Sequence, residues 1–236
     1  MQNVILYGLN IYAGDVSQLI TDIKNNKEKI HIISGSANVL QYPLKDKCTY
    51  QLFNEDRNII IPDSISVYYP IRIKYKRGYL IPGIDLMEKL LFEFQTEEKS
   101  VYFLGAKEEI IDKMIHKFKI IYPKLQIVGY HHGYFDKNNC ENIITEIKKS
   151  QAYALFVAFG APTQENFILK YMDDLPCSFF MGVGGSFDVF SETVKRSPKW
   201  MRRLGLEWLY RFITSPKYLL RIWIIIKFTI IAIIKG

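Results

Sequence analysis

Four short segments of the 236-residue chain hold residue types from which a reactive site can be built. Pro62-Asp63-Ser64 offers a carboxylate. Asp63 can take a proton from an attacking hydroxyl or hold a sugar hydroxyl, and Asp63 or Ser64 can equally cap a helix. Ser34-Gly35-Ser36-Ala37-Asn38 joins small residues, which let a backbone approach a ligand, to the hydroxyl of Ser36 and the amide of Asn38. An ordinary capped turn has the same composition. Phe159-Gly160-Ala161-Pro162-Thr163-Gln164-Glu165-Asn166 has the form of a helix start at Pro162 and Thr163, with Gln164 and Glu165 in the first turn. Backbone N–H groups at such a start attract anions, although a plain strand-to-helix turn looks alike. Gly182-Val183-Gly184-Gly185-Ser186-Phe187-Asp188 carries three glycines and a serine, the composition of a loop that wraps phosphate. It lacks both the Gly-Lys-Ser/Thr ending of a P-loop and the full dinucleotide fingerprint.

Metal chemistry finds little support. His131 and His132 are adjacent and would point apart in a strand, and no Asp-x-Asp pair occurs to hold a divalent cation against a diphosphate. Cys48, Cys140 and Cys177 are odd in number and far apart, which gives neither a disulfide framework nor zinc spacing. A reducing cytoplasm suits them, and the N-terminal residues show no secretory signal.

The four segments need elements to position them. Short apolar runs at 30–34, 59–62, 101–105, 125–130, 154–160 and 178–183 alternate with helical patterns at 85–95, 108–122, 140–150 and 164–173. Continuous apolar runs between amphipathic helices indicate parallel strands covered on both faces. The expected fold is therefore α/β: a doubly wound, largely parallel, Rossmann-like sheet. Ligands in such sheets bind beyond the carboxyl ends of the strands, and all four segments follow expected strands.

The charge changes near Lys195. Residues 195–236 hold ten Lys or Arg against the single acid Glu207, whereas the whole chain sums to +7. Trp200, Trp208 and Trp223 lie in the same stretch. Basic groups among Trp and Ile suit an anionic membrane surface, at about 1 kcal/mol per Lys or Arg near it. Continuous hydrophobicity over 219–234 fits lipid better than nucleic acid, and no nucleic-acid partner is expected. That run is shorter than the roughly 20 apolar residues of a spanning helix, and Arg221 and Lys227 interrupt it. Interfacial anchoring is the first expectation; a short tilted insertion or a contact between copies is the alternative. The division expected is an α/β catalytic domain over 1–194 and a basic, Trp-rich helical appendage over 195–236. Arg196, Arg202, Arg203, Arg211 and Arg221 are candidates for binding phosphate through paired guanidinium donors.

Taken in order, several of these motifs resemble the WecG/TagA/CpsF family, the bacterial glycosyltransferases of teichoic acid, enterobacterial common antigen and capsular polysaccharide. The likeness runs from about residue 30 to 221. It rests on His132-Gly133-Tyr134-Phe135, the Gly160-Ala161-Pro162-Thr163-Gln164-Glu165 and Gly182-to-Asp188 segments, Arg196-Ser197-Pro198-Lys199-Trp200, and Gly205-Leu206-Glu207-Trp208-Leu209-Tyr210-Arg211. The resemblance implies a metal-independent, inverting transfer from a UDP-sugar to a polyprenyl-diphosphate-linked saccharide at the cytoplasmic membrane face. It implies an N-acetylhexosamine such as N-acetylmannosamine as the sugar, no cofactor, and self-association of the chain. Asp63 then matches the general base, Ser36 and Asn38 the first-loop residues, and Gln164 the glutamine after the Gly-x-Pro turn. Gly160, Pro162, Glu165, Gly182, Gly184, Gly185 and Asp188 fall to the nucleotide donor, and the five arginines to the acceptor diphosphate and membrane.

The chain departs from the family pattern at several places. Ser64 stands where the family has Gly, Ser36 where it has Thr, and Glu192 and Ser197 where it has the Gly and Ala of Gly-x-x-x-Arg-Ala-Pro. Leu80 stands where it has an arginine, with Arg77 the nearest replacement. Two other readings differ in class. A nucleotide-sugar oxidoreductase or epimerase would want Gly-x-Gly-x-x-Gly after the strand at 30–34, which reads Ser-Gly-Ser-Ala-Asn instead. A non-catalytic nucleotide-sugar-binding membrane scaffold differs only in lacking turnover.

Overall fold

A computed structural model of the chain describes residues 2–203, 209–210 and 219–235. Eight strands form one sheet: β1 (Asn3–Leu6), β2 (Leu9–Tyr12), β3 (Ile30–Gly35), β4 (Asn58–Pro62), β5 (Ser100–Gly105), β6 (Gln126–His131), β7 (Ala154–Ala158) and β8 (Phe179–Gly182). Their order is β1-β2-β4-β3-β8-β7-β5-β6. The pairings from β2 through β6 are parallel, and β1 closes one edge as the antiparallel arm of a hairpin with β2. The six strands expected from the sequence are present with ends shifted by one or two residues; β1 and β2 are additions.

The apolar runs make strands because both faces are covered. Alternate side chains of each strand enter different cores. Ile32, Ile59, Ile61, Phe103, Phe156, Phe179 and Met181 face α1 (Val16–Asn25), α5 (Gly83–Thr96), α6 (Glu108–Ile121) and α9 (Ser186–Phe190). This core is largely aromatic: Phe103 stacks on Phe156 at 5.6 Å, and Phe94, Phe118 and Phe187 meet their neighbours edge-on or tilted. On the opposite face Ile33 and Ile60 pack against α2 (Ala37–Leu40), α3 (Lys47–Phe53) and α4 (Ile65–Tyr75). Tyr102, Leu155 and Phe180 pack against α7 (Glu141–Ser150) and α8 (Thr163–Tyr171).

After β8 the chain continues through α9 to the short α10 (Lys199–Arg203) and, further on, to α11 (Leu219–Lys235). α11 lies against α4 and α2. Phe228 and Ala232, one turn apart, are buried in the same core as Ile33 and Ile60. Tyr7, in the β1–β2 turn, sets its ring 4.8 Å from that of Phe228 and donates its hydroxyl to the Phe228 carbonyl at 2.8 Å. The opposite side of the helix shows Trp223, Ile226, Ile230 and Ile234 to solvent. Among the described residues no helix is long and apolar enough to cross a membrane.

Candidate active site at the carboxyl ends of the strands

The parallel strands bring the expected segments to one edge of the sheet, in two adjoining groups. The first lies at the ends of β3 and β4. Gly35 and Pro62 are register partners, and the Asp63 amide donates to the Gly35 carbonyl at 3.2 Å. Asp63 is half-buried, and its Oδ1 accepts the backbone N–H of Gly83, the first residue of α5, at 2.5 Å. Ser64 stands at the N-cap of α4 but makes no capping bond with its side chain. Its hydroxyl instead lies 2.6 Å from that of Ser66, which accepts the Ala37 amide at 3.0 Å. Ser36 caps α2 by accepting the Val39 amide at 3.4 Å, and Asn38 sits half-buried in that helix's first turn. Asp63, Ser36 and Asn38 thus share the loops of two neighbouring strands.

The second group surrounds a cavity of about 860 Å³ at the ends of β5 to β8. Of the donor-binding candidates, Gly160, Gly184, Gly185 and Asp188 line it. Gly160 and Gly184 both have positive φ (76° and 50°), the left-handed conformation that favours glycine. That geometry turns both amides toward one side chain: Gln164 Oε1 accepts from Gly160 N at 3.2 Å and from Gly184 N at 2.9 Å. Gln164 is only 3 % exposed and clamps the loop after β7 to the loop after β8. Gly182 leaves room for it, since a Cβ there would sit 2.5 Å from Gln164 Nε2. The Nε2 donates to Glu165 Oε1 at 2.9 Å. Glu165 is fully buried, with Oε2 lacking a hydrogen-bond partner, and burial pushes its carboxyl above the ordinary value. Gln164 and Glu165 therefore support the cavity from beneath. Pro162 follows a cis peptide bond in the turn between.

Sequence reasoning passed over the cavity's cations. Lys107, just before α6, and Lys137 both line the cavity. Lys137 Nζ donates to the Phe135 carbonyl at 3.1 Å and stands 4.7 and 4.8 Å from the Phe135 and Phe159 ring centroids. Asp188 faces the same space; desolvation raises its carboxyl above the usual range, opposed by the charge of Lys107. Tyr134 and Phe135 of the His-Gly-Tyr-Phe motif add aromatic surface. His131 and His132 shape that turn instead of sharing a ligand: His131 Nδ1 lies 2.8 Å from the His132 carbonyl, and His132 Nδ1 accepts the Tyr134 amide at 3.2 Å. Among the described residues no group of three or more His, Cys, Asp or Glu is arranged to hold a metal ion.

The arginines divide. Arg196 Nη2 lies 2.6 Å and Arg202 Nη1 3.9 Å from Asp85 Oδ1, in the first turn of α5 beside Gly83. Arg203 belongs to α10 and Arg221 to α11, but their side chains, like the whole of Arg211, lie outside the described residues. Arg77 does not replace the arginine missing at Leu80. Its Nη2 donates to the Asn3 carbonyl on the outermost strand, at 3.1 Å.

The chain matches the family model described as "Glycosyl transferase WecG/TagA/CpsF family" over residues 4–235. Among curated relatives, a Bacillus subtilis (strain 168) protein is 37 % identical over 174 residues, 73 % of this chain and 67 % of its own length. A Bacillus spizizenii protein is 33 % identical, over 85 % of this chain and 77 % of its own. A Staphylococcus aureus (strain NCTC 8325 / PS 47) protein is 27 % identical, over 91 % and 85 %. All three are named N-acetylglucosaminyldiphosphoundecaprenol N-acetyl-beta-D-mannosaminyltransferase. With a match across nearly its whole length, and the His-Gly-Tyr-Phe motif meeting both glycine loops at one edge of the sheet, the chain belongs to the WecG/TagA/CpsF family of glycosyltransferases.

Proposed function

We propose that the protein transfers N-acetylmannosamine from its UDP derivative to a polyprenyl-diphosphate-linked N-acetylglucosamine, inverting the anomeric centre without a metal. The relatives' names support the sugar and the acceptor. The observation that carries the reaction type is a strand-end carboxylate, Asp63, beside a cavity whose two glycine loops are locked by Gln164. The nucleotide occupies the cavity, its base against Tyr134 and Phe135 and its diphosphate toward Lys107, Lys137 and the glycine loops. Asp63 takes the proton of the acceptor hydroxyl as that oxygen attacks the anomeric carbon. The bond from that carbon to the UDP oxygen breaks with its electrons, in a single displacement that inverts configuration. Negative charge growing on the leaving diphosphate meets lysine ammoniums and preorganised amides, which take the role a divalent cation plays in other sites. The exposed Trp and Ile side of α11, in a strongly basic segment, holds the protein at the surface where a lipid-linked acceptor resides.

The test is UDP release from a panel of UDP-sugars, with lipid-linked N-acetylglucosamine diphosphate as acceptor and EDTA present. Acceptor-dependent release from UDP-N-acetylmannosamine is expected. Release from a different donor would reassign the sugar, and release abolished by EDTA would overturn the metal-free mechanism.

A further inference from the structure

We infer that α4 and the turn after it form a separate docking surface for a bilayer of anionic headgroups, on the body of the protein and outside the basic C-terminal segment; this second contact rests on the membrane reading above, whatever sugar is transferred. α4 is apolar over more of its circumference than its core uses. Val67, Pro70 and Ile71 are buried, yet Tyr69 and Ile73 are 45 % and 57 % exposed. A helix on a soluble body ordinarily turns polar residues outward. Here the outward stripe, at positions i, i+3, i+4 and i+7, is Tyr69, Arg72, Ile73 and the C-cap Lys76. The charge on this side has one sign. Residues 64–84 contain Arg72, Lys74, Lys76 and Arg77 and no acid, although acids outnumber bases over residues 1–194 as a whole. All four are exposed, and among the described residues none is ion-paired with a carboxylate. Arg72 and Arg77 give N–H groups to the backbone carbonyls of Lys76 and Asn3, which leaves their charge unneutralised. An aromatic ring and an isoleucine interleaved with such cations suit the headgroup layer, where apolar groups enter and long basic stems reach the phosphates.

Two placements make the partner the same bilayer that α11 meets. Val67 and Ile71 of α4 share a core with Phe228 and Ala232 of α11, and the two helices lie against each other. With their inner sides on one core, their outer sides face the same solvent. The second placement concerns the end of α4. Tyr75 donates its hydroxyl to the Ile5 carbonyl at 2.7 Å, and Arg77 Nη2 donates to the Asn3 carbonyl at 3.1 Å. Asn3 is the register partner of Tyr12, the last residue of β2, and β2 runs parallel to β4. The basic end of α4 therefore stands at the carboxyl ends of the strands. From there the chain passes exposed Tyr79 and reaches Ile81, whose amide donates to the Pro62 carbonyl at 2.9 Å, and then Gly83, which holds Asp63. A bilayer on this surface thus lies toward the edge of the sheet that carries Asp63, the edge to which a lipid-linked acceptor must come.

The experiment measures co-sedimentation of the full-length chain with vesicles of mixed phosphatidylglycerol and phosphatidylcholine, in wild type, in Lys74→Glu with Lys76→Glu, and in Ile73→Ser. Lys113→Glu with Lys119→Glu, exposed on α6 across the sheet, changes the net charge equally and serves as control. Lys74→Gln with Lys76→Gln replaces the glutamate pair if that fails to fold. The α4 charge pair should bind about tenfold or more weakly and Ile73→Ser more weakly than wild type, at unchanged melting temperatures, while the α6 pair changes binding little. Folded α4 variants that bind like wild type overturn the inference. So does an equal loss in the α6 pair, which would leave only net charge at work. Variants that keep vesicle binding but lose self-association in analytical ultracentrifugation would give the surface to a second copy instead. Wild type that ignores these vesicles would sink the whole membrane reading, whereas binding lost on changing α11 but untouched by the α4 variants would sink this surface alone.

Discussion

Asp63 Oδ1 receives the backbone N–H of Gly83 at 2.5 Å, so the carboxylate that ends β4 is oriented by the first turn of α5. That turn also carries Asp85 and, through it, Arg196 and Arg202. The candidate base and the Arg196 and Arg202 ion pairs thus share one anchor, the first turn of a 14-residue helix whose Leu86, Met87, Leu90 and Leu91 are fully buried.

Asp63→Asn separates the base from its structural role. Asparagine keeps an oxygen to accept the Gly83 amide but cannot take a proton from the acceptor. Turnover should fall by about 100-fold or more, the usual scale for a general base, with the melting temperature nearly unchanged. Steady-state kinetics beside a thermal melt decides it: full turnover by the folded variant would remove Asp63 from the chemistry.

Gln164→Leu removes the acceptor that two loops share. The amides of Gly160 and Gly184 lose their partner, at about 1–3 kcal/mol for each group left unsatisfied, and the loops bordering the cavity lose their mutual register. The donor KM should rise by about tenfold or more, while the acceptor KM changes little. An equal rise in both would mean that Gln164 holds the whole edge of the sheet.

How far these features could be read beforehand depends on burial and sequence distance. The inner strands were legible because two helix layers make their apolar runs continuous, as at Ile59, Ile60 and Ile61. β1 was not, because only Val4 and Leu6 of its four residues are buried. α4 hid for another reason: it contains Pro70, and exposed Tyr69 and Ile73 interleave with buried Val67 and Ile71. The glycine loops could be found by composition and Asp63 by its place after a strand. Lys107 and Lys137 could not, being single lysines among many. Nor could the pairing of Asp85 with Arg196, whose chemistry depends on packing between distant segments. One departure gains a physical meaning: Glu192, where the family pattern has glycine, holds φ at 59° and pairs with Lys117 at 2.8 Å.

Glu165 gives the protein a pH signature. Burial raises its carboxyl above the ordinary 4.5, so the folded state holds this proton more tightly than the unfolded chain. The associated stability is fully present below 4.5 and is lost as pH rises toward the folded value. Glu165→Gln removes that loss and keeps an oxygen for the Gln164 amide. Wild type and variant should melt alike near pH 4, with the variant gaining stability as pH rises to 7. Thermal melts across that range check it, and a variant less stable at pH 7 would show that the carboxylate is charged and paired in the fold.

α11 performs two tasks on opposite sides, and point changes can part them. Removing everything after Lys195 would strip Phe228 and Ala232 from the core they share with Ile33 and Ile60, so lost membrane binding would be confounded with lost structure. Trp223, Ile230 and Ile234 are 75 %, 51 % and 72 % exposed, so a charge at these positions costs the fold little. Trp223→Glu and Ile230→Glu together should lower co-sedimentation with anionic liposomes by about tenfold or more, through lost apolar insertion and repulsion from the lipid charge, at an unchanged melting temperature. Phe228→Ala should do the reverse, costing about 3–5 kcal/mol of stability as a buried aromatic truncation while leaving the exposed side intact. Undiminished sedimentation of the double glutamate variant would place the membrane contact elsewhere on the protein, because two carboxylates among the outer residues of α11 oppose insertion of the remaining Ile226 and Ile234 as well.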